Sequence, residues 1–490
     1  MSNRSSRPLG ELGEWLEQRL GWRRLMHEAL DEPIPGGSRW AYVFGSGLLF
    51  LFVSQAITGI FLSLYYVPSV DHAHTTVSYI QKQVTAGSFI RSLHSYGSSV
   101  MVILLLLHLA QTFLYGAYKS RRELLWLAGC FLFLLVLGMS FTGYLLPWDQ
   151  KAYFATAVAT NILSEIPVVG NGLKTLLRAG TEMSTLTLSR FFMLHVFLIP
   201  ALLIAAAAAH VFLFRKAGAA GPPVGEEQRS RLPVEPFFPF QVFKDFVFGI
   251  GLIVVLGALA LARPTSLGPV ANPADPTYIP RPEWYYIPVF QWLKYWHGGA
   301  AIVGIVVIPA LVFLALFALP FLDRSPQRHP LRRPLPVATF TVILGGLGFL
   351  GLRSHVEDRR DPSVHAKLVA QEEAEREFAR SPFEPEELAG AKGTGPQASA
   401  AQKLTAQESK GALLFDSEGC SGCHGAGGRG DEGLTRLWGM RDRFSDRQLA
   451  DLLRNPRPAM LAGGMEASKL PDNDLQSLVA YLRASMNWKK

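Results

Sequence analysis

Four histidines stand in two apolar segments of the chain, in two pairs with nearly equal spacing. His94 and His108 are fourteen residues apart, and His195 and His210 are fifteen residues apart. Both spacings are close to four helical turns, so the members of each pair lie near one face of a helix. Two such helices packed together predict two stacked bis-histidine sites about 21 to 23 Å apart.

Imidazole at bilayer depth is costly and usually functional. A stack of two bis-histidine sites is the geometry of an electron conduit through two haems. The alternative for each histidine is a hydrogen bond to a neighbouring helix. The matching spacing of the two pairs favours haem.

The segment Cys420-Ser421-Gly422-Cys423-His424 carries a second iron-binding pattern. In Cys-x-x-Cys-His, the two thiols bond the vinyl groups of a c-type haem and the adjacent imidazole binds its iron. Half of a zinc site is the alternative, but the sequence has no second Cys/His cluster to complete it. We therefore predict a covalent haem, which bacteria attach outside the cytoplasm. Cys130 is predicted to be a buried structural thiol.

The second axial ligand of this haem is predicted to be a methionine. Met465 follows two glycines and precedes the last helical segment, a position that resembles the ligand position of small class I c-type cytochromes. Met460 is the main alternative and Met440 is a third. Methionine/histidine ligation raises the potential of a haem, so this domain is predicted to lie on a high-potential branch.

The composition predicts a membrane protein. Of the 490 residues, 49 % are hydrophobic and only 18 % are charged, a combination that is rare in soluble domains. Seven apolar runs are long enough to span a bilayer, and the last, which ends near Leu352, is the shortest. The runs begin near Ala41, Leu93, Leu124, Phe191, Phe243, Ala300 and Val337.

Basic residues in the short loops predict the orientation, because cytoplasmic loops carry an excess of lysine and arginine. Four basic clusters belong on one side, which places the amino terminus in the cytoplasm and the carboxyl terminus outside. The net charge of +8 is then a topology signal and requires no nucleic-acid partner. The polar segment before Trp40 predicts that the first span directs insertion without a cleavable signal peptide. The clusters are Arg19/Arg23/Arg24/Arg39, Lys119/Arg121/Arg122, Arg215/Lys216/Arg229/Arg231 and Arg324/Arg328/Arg332/Arg333.

We predict an all-α protein with a seven-span membrane part and a small all-α cytochrome c domain. Residues 1–40 are assigned to a cytoplasmic segment, 41–216 to a four-helix diheme bundle and 217–353 to a three-span unit. Residues 354–405 are rich in Glu, Arg, Ala and Gln and then in Gly, Pro and Ser, which predicts a solvated partial helix and a tether. Residues 406–490 form the c-type domain.

Four glycines in spans one and three repeat the histidine spacing. The two glycines of each span are fourteen residues apart, which suggests that a flat macrocycle lies against the backbone there. Ordinary packing of small residues is the alternative. Arg91, one turn before His94, is placed to neutralise a haem propionate, with a snorkelling arginine as the alternative. The glycines are Gly45, Gly59, Gly129 and Gly143.

The membrane part contains five distinctive motifs: Gln55-Ala56-Ile57-Thr58-Gly59, Arg91-Ser92-Leu93-His94, Gly143-Tyr144-Leu145-Leu146-Pro147-Trp148-Asp149-Gln150, Ser184-Thr185-Leu186-Thr187 and Pro282-Glu283-Trp284-Tyr285. Together they resemble the cytochrome b subunit of cytochrome bc1 and b6f complexes, over about residues 10 to 353. The fifteen-residue spacing in span four, Pro-Trp-Asp-Gln after span three and the seven spans are similar to chloroplast-type cytochrome b joined to its subunit IV in one chain. A c-type domain is appended.

The resemblance implies that His94 and His195 ligate a haem near the extracytoplasmic (p) side. It implies that His108 and His210 ligate a haem near the cytoplasmic (n) side. The topology gives the same pairing, because spans two and four run in the same direction.

The resemblance also implies a quinol site around Glu283, which would accept a proton from quinol. Tyr285 and the segment Tyr144–Trp148 would line this site; an aromatic interfacial anchor is the alternative for the motif. Arg215 and Lys216 match the basic stretch beside an n-side quinone pocket, and a positive-inside anchor explains them equally well.

Three departures from the family pattern stand out. Val43 occupies the position of the cysteine that tethers an extra n-side haem in the chloroplast-type protein, so no covalent third haem is expected on the b side. A non-covalent extra haem stays open. Gln111 stands where a basic residue is expected near the n-side haem, and extra residues precede Arg190.

The resemblance implies a quinol:cytochrome c oxidoreductase subunit in a bacterial inner membrane, with two b haems, one c haem and quinol or quinone as substrate. Implied partners are a Rieske-type iron–sulfur protein, a soluble cytochrome c or other acceptor, and a second copy in a homodimer. The type of quinone stays open, as does a further c-type cytochrome. The alternative hypotheses are a diheme anchor for a dehydrogenase or hydrogenase, and a haem-binding transporter or sensor.

Overall fold

The structure is a computed structural model, and its contacts divide the chain into two compact units, Met1–Leu388 and Ala389–Lys490. It describes residues 7–21, 30–273, 275, 277–385, 405–418, 420, 424, 437, 444–458, 460, 465 and 467–486.

The first unit contains seven helices that are long and apolar enough to span a membrane, which confirms the predicted fold. The seventh was expected to be the shortest and to end near Leu352. That expectation is wrong, because the helix has 27 residues and continues to Arg360. Its charged end is solvated and is held by an Arg353–Glu357 pair one turn apart, at 2.7 Å. The spans are Trp40–Ser63, Gly87–Leu114, Glu123–Tyr144, Thr185–Ala217, Phe240–Ala262, Gly298–Leu322 and Pro334–Arg360.

The spans pack in neighbouring pairs. Span one lies against span two, span three against span four, and span five contacts both of the first two. Connections after spans one, three and five meet at one end of the bundle, which we call the Glu283 end. Connections after spans two, four and six meet at the other end, together with the segment before span one, and we call this the amino-terminal end.

Four short helices in the connections build the Glu283 end. Asp149 starts one of them, because its Oδ1 accepts a hydrogen bond from the Ala152 amide at 2.8 Å. A backbone hydrogen bond from Ala271 to Trp148 carbonyl oxygen, at 3.1 Å, joins the connections after spans three and five. The helices are Ala73–Lys82, Gln150–Ser164, Gly170–Arg178 and Ile287–Leu293.

A further helix, Pro362–Arg380, follows span seven, and we call it the extension helix. Asp361 caps its first turn by accepting hydrogen bonds from the amides of Ser363 and Val364. The sequence predicts a solvated partial helix and a tether over residues 354–405. The structure has helix up to Arg360 and again over Pro362–Arg380, and the second helix contacts the connections at the Glu283 end. Residues 386–404, where the tether is predicted, lie outside the described residues.

The amino-terminal end is held by a buried ion cluster. The Nζ atom of Lys119, after span two, is 2.6 Å from the Asp323 carboxylate, after span six. Arg333 donates to the Tyr118 hydroxyl at 2.7 Å and to the carbonyl of Leu114 at 2.9 Å. The cluster therefore joins the four-helix part to the last two spans. The other elements near this end are helices Arg7–Leu20 and Glu226–Ser230, single 3-10 turns Trp40–Tyr42 and Pro330–Arg332, and antiparallel strands Pro33–Pro35 and Val234–Pro236.

Replacing Asp323 by asparagine should destabilise the membrane part by about 3–5 kcal/mol, because removing one partner leaves buried charges uncompensated. The side chains of Lys119 and Arg333 are only 7 % and 1 % exposed. The measurement is the midpoint of thermal unfolding in detergent. Glu372→Gln is the control, since it breaks an ion pair that is 67 % exposed on both sides and is worth at most about 1 kcal/mol. Equal midpoints for the two variants would contradict the prediction.

The second unit is a small helical domain around one apolar core. Its described helices are Ala406–Ser417, Asp446–Arg454 and Asp472–Met486. Phe415, Leu449 and Leu478 are buried at the centre, and Tyr481 packs edge-on against Phe415 with ring centroids 5.5 Å apart.

Candidate functional site

The fold brings together the first predicted histidine couple, His94 on span two and His195 on span four. The centroids of the two imidazole rings are 6.2 Å apart, and the ring planes are inclined by 75°. One metal atom fits between them, since two metal–nitrogen bonds of about 2 Å account for much of this separation and the rings for the rest. His195 lies in a π-helical turn, Leu194–Leu198, an irregularity that is frequent at functional sites.

Hydrogen bonds fix which nitrogen of each ring in this couple carries the proton. The Thr58 hydroxyl donates to Ser54 carbonyl oxygen at 2.8 Å, so at 3.0 Å it accepts from Nδ1–H of His94. The Met139 carbonyl oxygen can only accept, and it lies 3.0 Å from Nδ1 of His195. Both rings therefore keep Nε2 unprotonated, which is the form that binds a metal.

The threonines that support the imidazoles were not predicted from the sequence. Thr58 directly precedes Gly59, and Thr142, whose hydroxyl is 3.4 Å from Nδ1 of His195, directly precedes Gly143. The repeated Thr-Gly pair was the signal that could have identified them.

The second couple, His108 and His210, lies on the same two spans about four turns nearer the amino-terminal end. A Cβ atom at Gly45 would lie 3.3 Å from Cε1 of His108, and one at Gly129 would lie 3.2 Å from Cε1 of His210. The spacing of the four histidines thus places two couples one above the other.

The imidazoles of the first couple lie even closer to their glycines. A Cβ atom at Gly59 would lie 3.1 Å from Cε1 of His94, and one at Gly143 would lie 2.4 Å from Cε1 of His195. A macrocycle against these glycines stays a prediction. The structure places an imidazole against each of them, so the small residue is needed to let the histidine ring approach the neighbouring helix.

The two couples have the donor set that an iron porphyrin requires. Each pair would supply two imidazole nitrogens to one haem iron. Within the described residues, the hydrogen bonds of His94 and His195 involve Nδ1 and leave Nε2 available to a metal. The ligand assignment stays a prediction.

Arg91 lies beside the first couple but is engaged with the protein. It donates to Gln81 at 2.6 Å and to the carbonyl oxygens of Thr265 and Ser266 at 3.0 and 3.1 Å. These bonds tie span two to the connection after span five. A role toward a haem propionate stays a prediction.

Glu283 forms an ion pair with Lys151, a residue that was not predicted to belong to the site. Nζ of Lys151 is 3.1 Å from the Glu283 carboxylate, and the two side chains are 37 % and 31 % exposed. The ammonium also lies 5.9 Å from the ring centroid of Tyr144. Burial lowers the pKa of Lys151, but the carboxylates of Glu283 and Glu375 outweigh this effect and the net pKa shift is upward. Lys151 therefore stays charged beside Glu283.

The predicted tyrosines lie near Glu283 and have fixed hydroxyl groups. Tyr285 shares a hydrogen bond with the Ser140 hydroxyl of span three. Tyr144 donates to the carbonyl oxygen of Arg281 at 3.4 Å. The structure thus brings Glu283, Tyr285 and Tyr144 to one place at the end of span three.

Arg215 lies at the opposite, amino-terminal end. Its Nη1 atom is 3.3 Å from the Glu32 carboxylate, and the two side chains are 32 % and 13 % exposed. This pair attaches the segment before span one to the end of span four. A role of Arg215 toward quinone stays a prediction.

In the second unit, Cys420 and Met465 both pack against the apolar core. The His424 amide donates to the Cys420 carbonyl oxygen at 3.1 Å, so these two predicted haem-binding residues lie one helical turn apart. The Met465 amide donates to Met460 carbonyl oxygen at 3.0 Å. Cys423 and Met440 lie outside the described residues.

Met465 packs against the same apolar core as Cys420, and Met460 is not among the described residues that do so. We therefore expect Met465→Ala to lower the reduction potential of the c haem. The reason is that methionine/histidine ligation raises haem potential. The measurement is a redox titration of the c-haem absorption in the purified protein. Met460→Ala is the matched control and should leave the potential unchanged. The reverse result would transfer the ligand role to Met460.

The fold and the histidine positions define the class: a helical membrane protein with two pairs of histidines at two levels on spans two and four. Residues 29–218 match the family model for cytochrome b/b6/petB, and residues 270–367 match the model for cytochrome b(C-terminal)/b6/petD. Residues 406–482 match the model for subunit III of cbb3-type cytochrome c oxidase. The chain belongs to the cytochrome b family and carries a fused cytochrome c domain, so the predicted resemblance is confirmed and b haems and a c haem are implied.

Known relatives agree with this assignment. Cytochrome b of Rickettsia bellii is 33 % identical over 347 residues, which cover 69 % of this chain and 85 % of that protein. Cytochrome b/c1 of Bradyrhizobium diazoefficiens is 34 % identical over 348 residues, 69 % of this chain and 50 % of that protein, so the match spans half of the relative's length. The menaquinol:cytochrome c reductase cytochrome b subunit of Geobacillus thermodenitrificans is 39 % identical over 222 residues, 44 % of this chain and 99 % of that protein.

A solved structure titled hyperthermophilic respiratory complex III is similar to this fold. The TM-score is 0.63 at 27 % sequence identity, and the match covers 73 % of this chain and 94 % of that chain. The chain is therefore a cytochrome b of a bc1-type complex, and such complexes contain partner subunits.

Proposed function

We propose that this chain is the cytochrome b subunit of a quinol:cytochrome c oxidoreductase that oxidises quinol at the Glu283 end and reduces quinone at the amino-terminal end. The observation that carries the proposal is the stack of two histidine couples between the two ends. In the couple formed by His94 and His195, the hydrogen bonds leave both Nε2 atoms unprotonated.

Each couple has its own supporting groups in the proposed mechanism. His94 and His195 would ligate the iron nearer the Glu283 end, and His108 and His210 the iron nearer the amino-terminal end. Thr58 and the Met139 carbonyl hold the imidazoles of the first couple in the tautomer that binds metal. When bound, two b haems would carry electrons between the ends of the bundle and the c haem would carry electrons to an acceptor.

Quinol oxidation requires a group that takes up the quinol protons, and Glu283 would serve as this base. The neighbouring Lys151 ammonium, 3.1 Å from the carboxylate, would hold the Glu283 side chain at the site. Tyr285 and Tyr144 would line the site. Hydrogen bonds with the Ser140 hydroxyl and the Arg281 carbonyl hold their side chains in place. Lys151 and the tyrosines would also orient the quinol ring edge toward the carboxylate.

The proposed orientation follows the basic clusters: the amino-terminal end faces the cytoplasm of a bacterium, and the Glu283 end and the c-type domain face outward. A Rieske-type iron–sulfur protein must then be a separate subunit, since the three cysteines of this chain are assigned elsewhere. A homodimer, a soluble cytochrome c or other acceptor, and lipid complete the proposed partners.

The test is whether oxidation of the c haem drives reduction of the b haems. The complex is supplied with quinol while quinone reduction at the amino-terminal end is inhibited, and an oxidant of the c haem is then added. If the two electrons of quinol leave by two branches, the oxidant should increase b-haem reduction. Oxidation of the b haems under these conditions would contradict the proposal and favour the diheme-anchor hypothesis, in which electrons are not divided.

A further inference from the structure

The extension helix is anchored on the connections of the Glu283 end. Nζ of Lys82 donates to Phe378 and Ser381 carbonyl oxygens, at 2.9 and 2.8 Å, and so caps the end of the helix. One turn earlier, the Glu375 carboxylate accepts a hydrogen bond from the Ser266 hydroxyl at 3.3 Å. Gln371 donates to the carbonyl oxygen of Ile279 at 3.5 Å. These contacts place Glu375 over the quinol-site connections.

A cavity of about 250 Å³ lies between the extension helix and these connections. This volume is enough for several water molecules, and the lining offers polar partners to hold them. Lys151, which is paired with Glu283, and Glu375 both line the cavity. The other polar lining residues are Gln150, Asp275, Thr277, Tyr278, Lys367 and Gln371.

Lys151 therefore interacts with two carboxylates. Glu283 is its direct partner at 3.1 Å, and Glu375 is close enough for its charge to act on the same ammonium. Burial raises the pKa of Glu375, although the Lys151 charge opposes this shift, and the Asp149 charge reinforces it. A carboxyl group whose pKa is raised toward neutrality can both accept and release a proton.

We propose that Glu375 passes the proton that Glu283 accepts from quinol through this cavity to the outer aqueous phase. In this step the O–H bond at Glu283 breaks, an O–H bond at Glu375 forms by way of cavity water, and Glu375 then releases the proton to bulk water. Lys151 keeps its charge throughout and acts as a positioning residue. The inference rests on the proposed function, because it requires quinol oxidation at Glu283.

Several charged groups face Glu375 and set when it releases its proton. Lys151 favours its ionised form, whereas Asp149 and Glu372 oppose ionisation. Lys367 of the same helix, and Asp275 and Tyr278 of the connection after span five, face the cavity as well. The net shift of the Glu375 pKa is upward, so proton release should become easier as the pH rises.

The test uses the whole complex carrying Glu375→Gln. Glu373→Gln is the matched control, because Glu373 is an exposed carboxylate on the same helix. We expect Glu375→Gln to slow quinol:cytochrome c reduction by roughly tenfold, less than the 10²- to 10⁴-fold typical of a group that takes a proton from substrate. Added sodium acetate, compared with sodium chloride of equal ionic strength, should restore part of the rate because a small base can replace the missing carboxylate. The difference in rate between Glu375→Gln and the wild type should also decrease as the pH rises, because proton release to bulk water becomes easier.

Both b-haem absorption components should be unchanged in Glu375→Gln, which separates slow proton transfer from misfolding. Equal rates for Glu375→Gln and Glu373→Gln would overturn the proposal. A slow Glu375→Gln enzyme that acetate does not rescue would overturn it as well, since that is the behaviour of a purely structural contact. Failure of the proposed function is distinguishable, because quinol oxidation would then persist in Glu283→Gln.

Discussion

Replacing Glu283 by glutamine should lower quinol oxidation by about 10²- to 10⁴-fold, the range typical of a positioned acid–base group. Glutamine keeps the size of the side chain but cannot accept a proton, and it breaks the 3.1 Å pair with Lys151. The measurement is steady-state quinol:cytochrome c reduction by the complex. We expect the fall to be mainly in kcat, because the carboxylate acts on the reacting hydroxyl.

Glu165→Gln is the control for this experiment. Glu165 is exposed and lies in the same connection as Lys151, between spans three and four. It should leave the rate unchanged, and the b- and c-haem spectra should be normal in both variants. A Glu283→Gln enzyme with the wild-type rate and normal spectra would remove Glu283 from the mechanism and favour an aromatic anchor role for its motif.

Replacing Gly143 by alanine should abolish one of the two b-type absorption components. The added Cβ atom would lie 2.4 Å from Cε1 and 2.8 Å from Nδ1 of His195, so the imidazole must leave its position. Overpacking of this kind costs typically about 1–3 kcal/mol, and the displaced ring loses its hydrogen bond to the Met139 carbonyl. The measurement is the low-temperature absorption spectrum of the reduced protein.

Gly138→Ala provides a matched control on the same span. There the added Cβ atom would make only an ordinary contact, 3.8 Å from Cδ1 of Ile199. Both b components should therefore persist in Gly138→Ala. If both components also persist in Gly143→Ala, haem binding does not require the close approach of His195 to span three.

The membrane spans and the histidine couples could be predicted because both depend on local spacing. Apolar runs set the spans, and intervals of fourteen and fifteen residues place His94 with His195 at one level and His108 with His210 at another. The helix periodicity puts the histidines of each span on one face, and the common direction of spans two and four gives the pairing.

The environment of Glu283 could not be predicted in the same way. Lys151 is 132 residues away in sequence, and the Lys82 contact that anchors the extension helix joins residues 299 apart. The solvated composition of residues 354–380 is compatible with a free helix, and only the docking contacts with distant connections show that it is fixed. A propensity pattern contains no information about such pairings.

If each histidine couple ligates one iron, the number of b haems must follow the number of intact couples. The covalent c haem serves as an internal standard, so the ratio of b haem to c haem is measured by pyridine haemochrome analysis of the purified protein. The wild type should give two b haems per c haem, and His94→Ala, His108→Ala, His195→Ala or His210→Ala should each give one. A ratio of two in a variant lacking all four histidines would contradict the account.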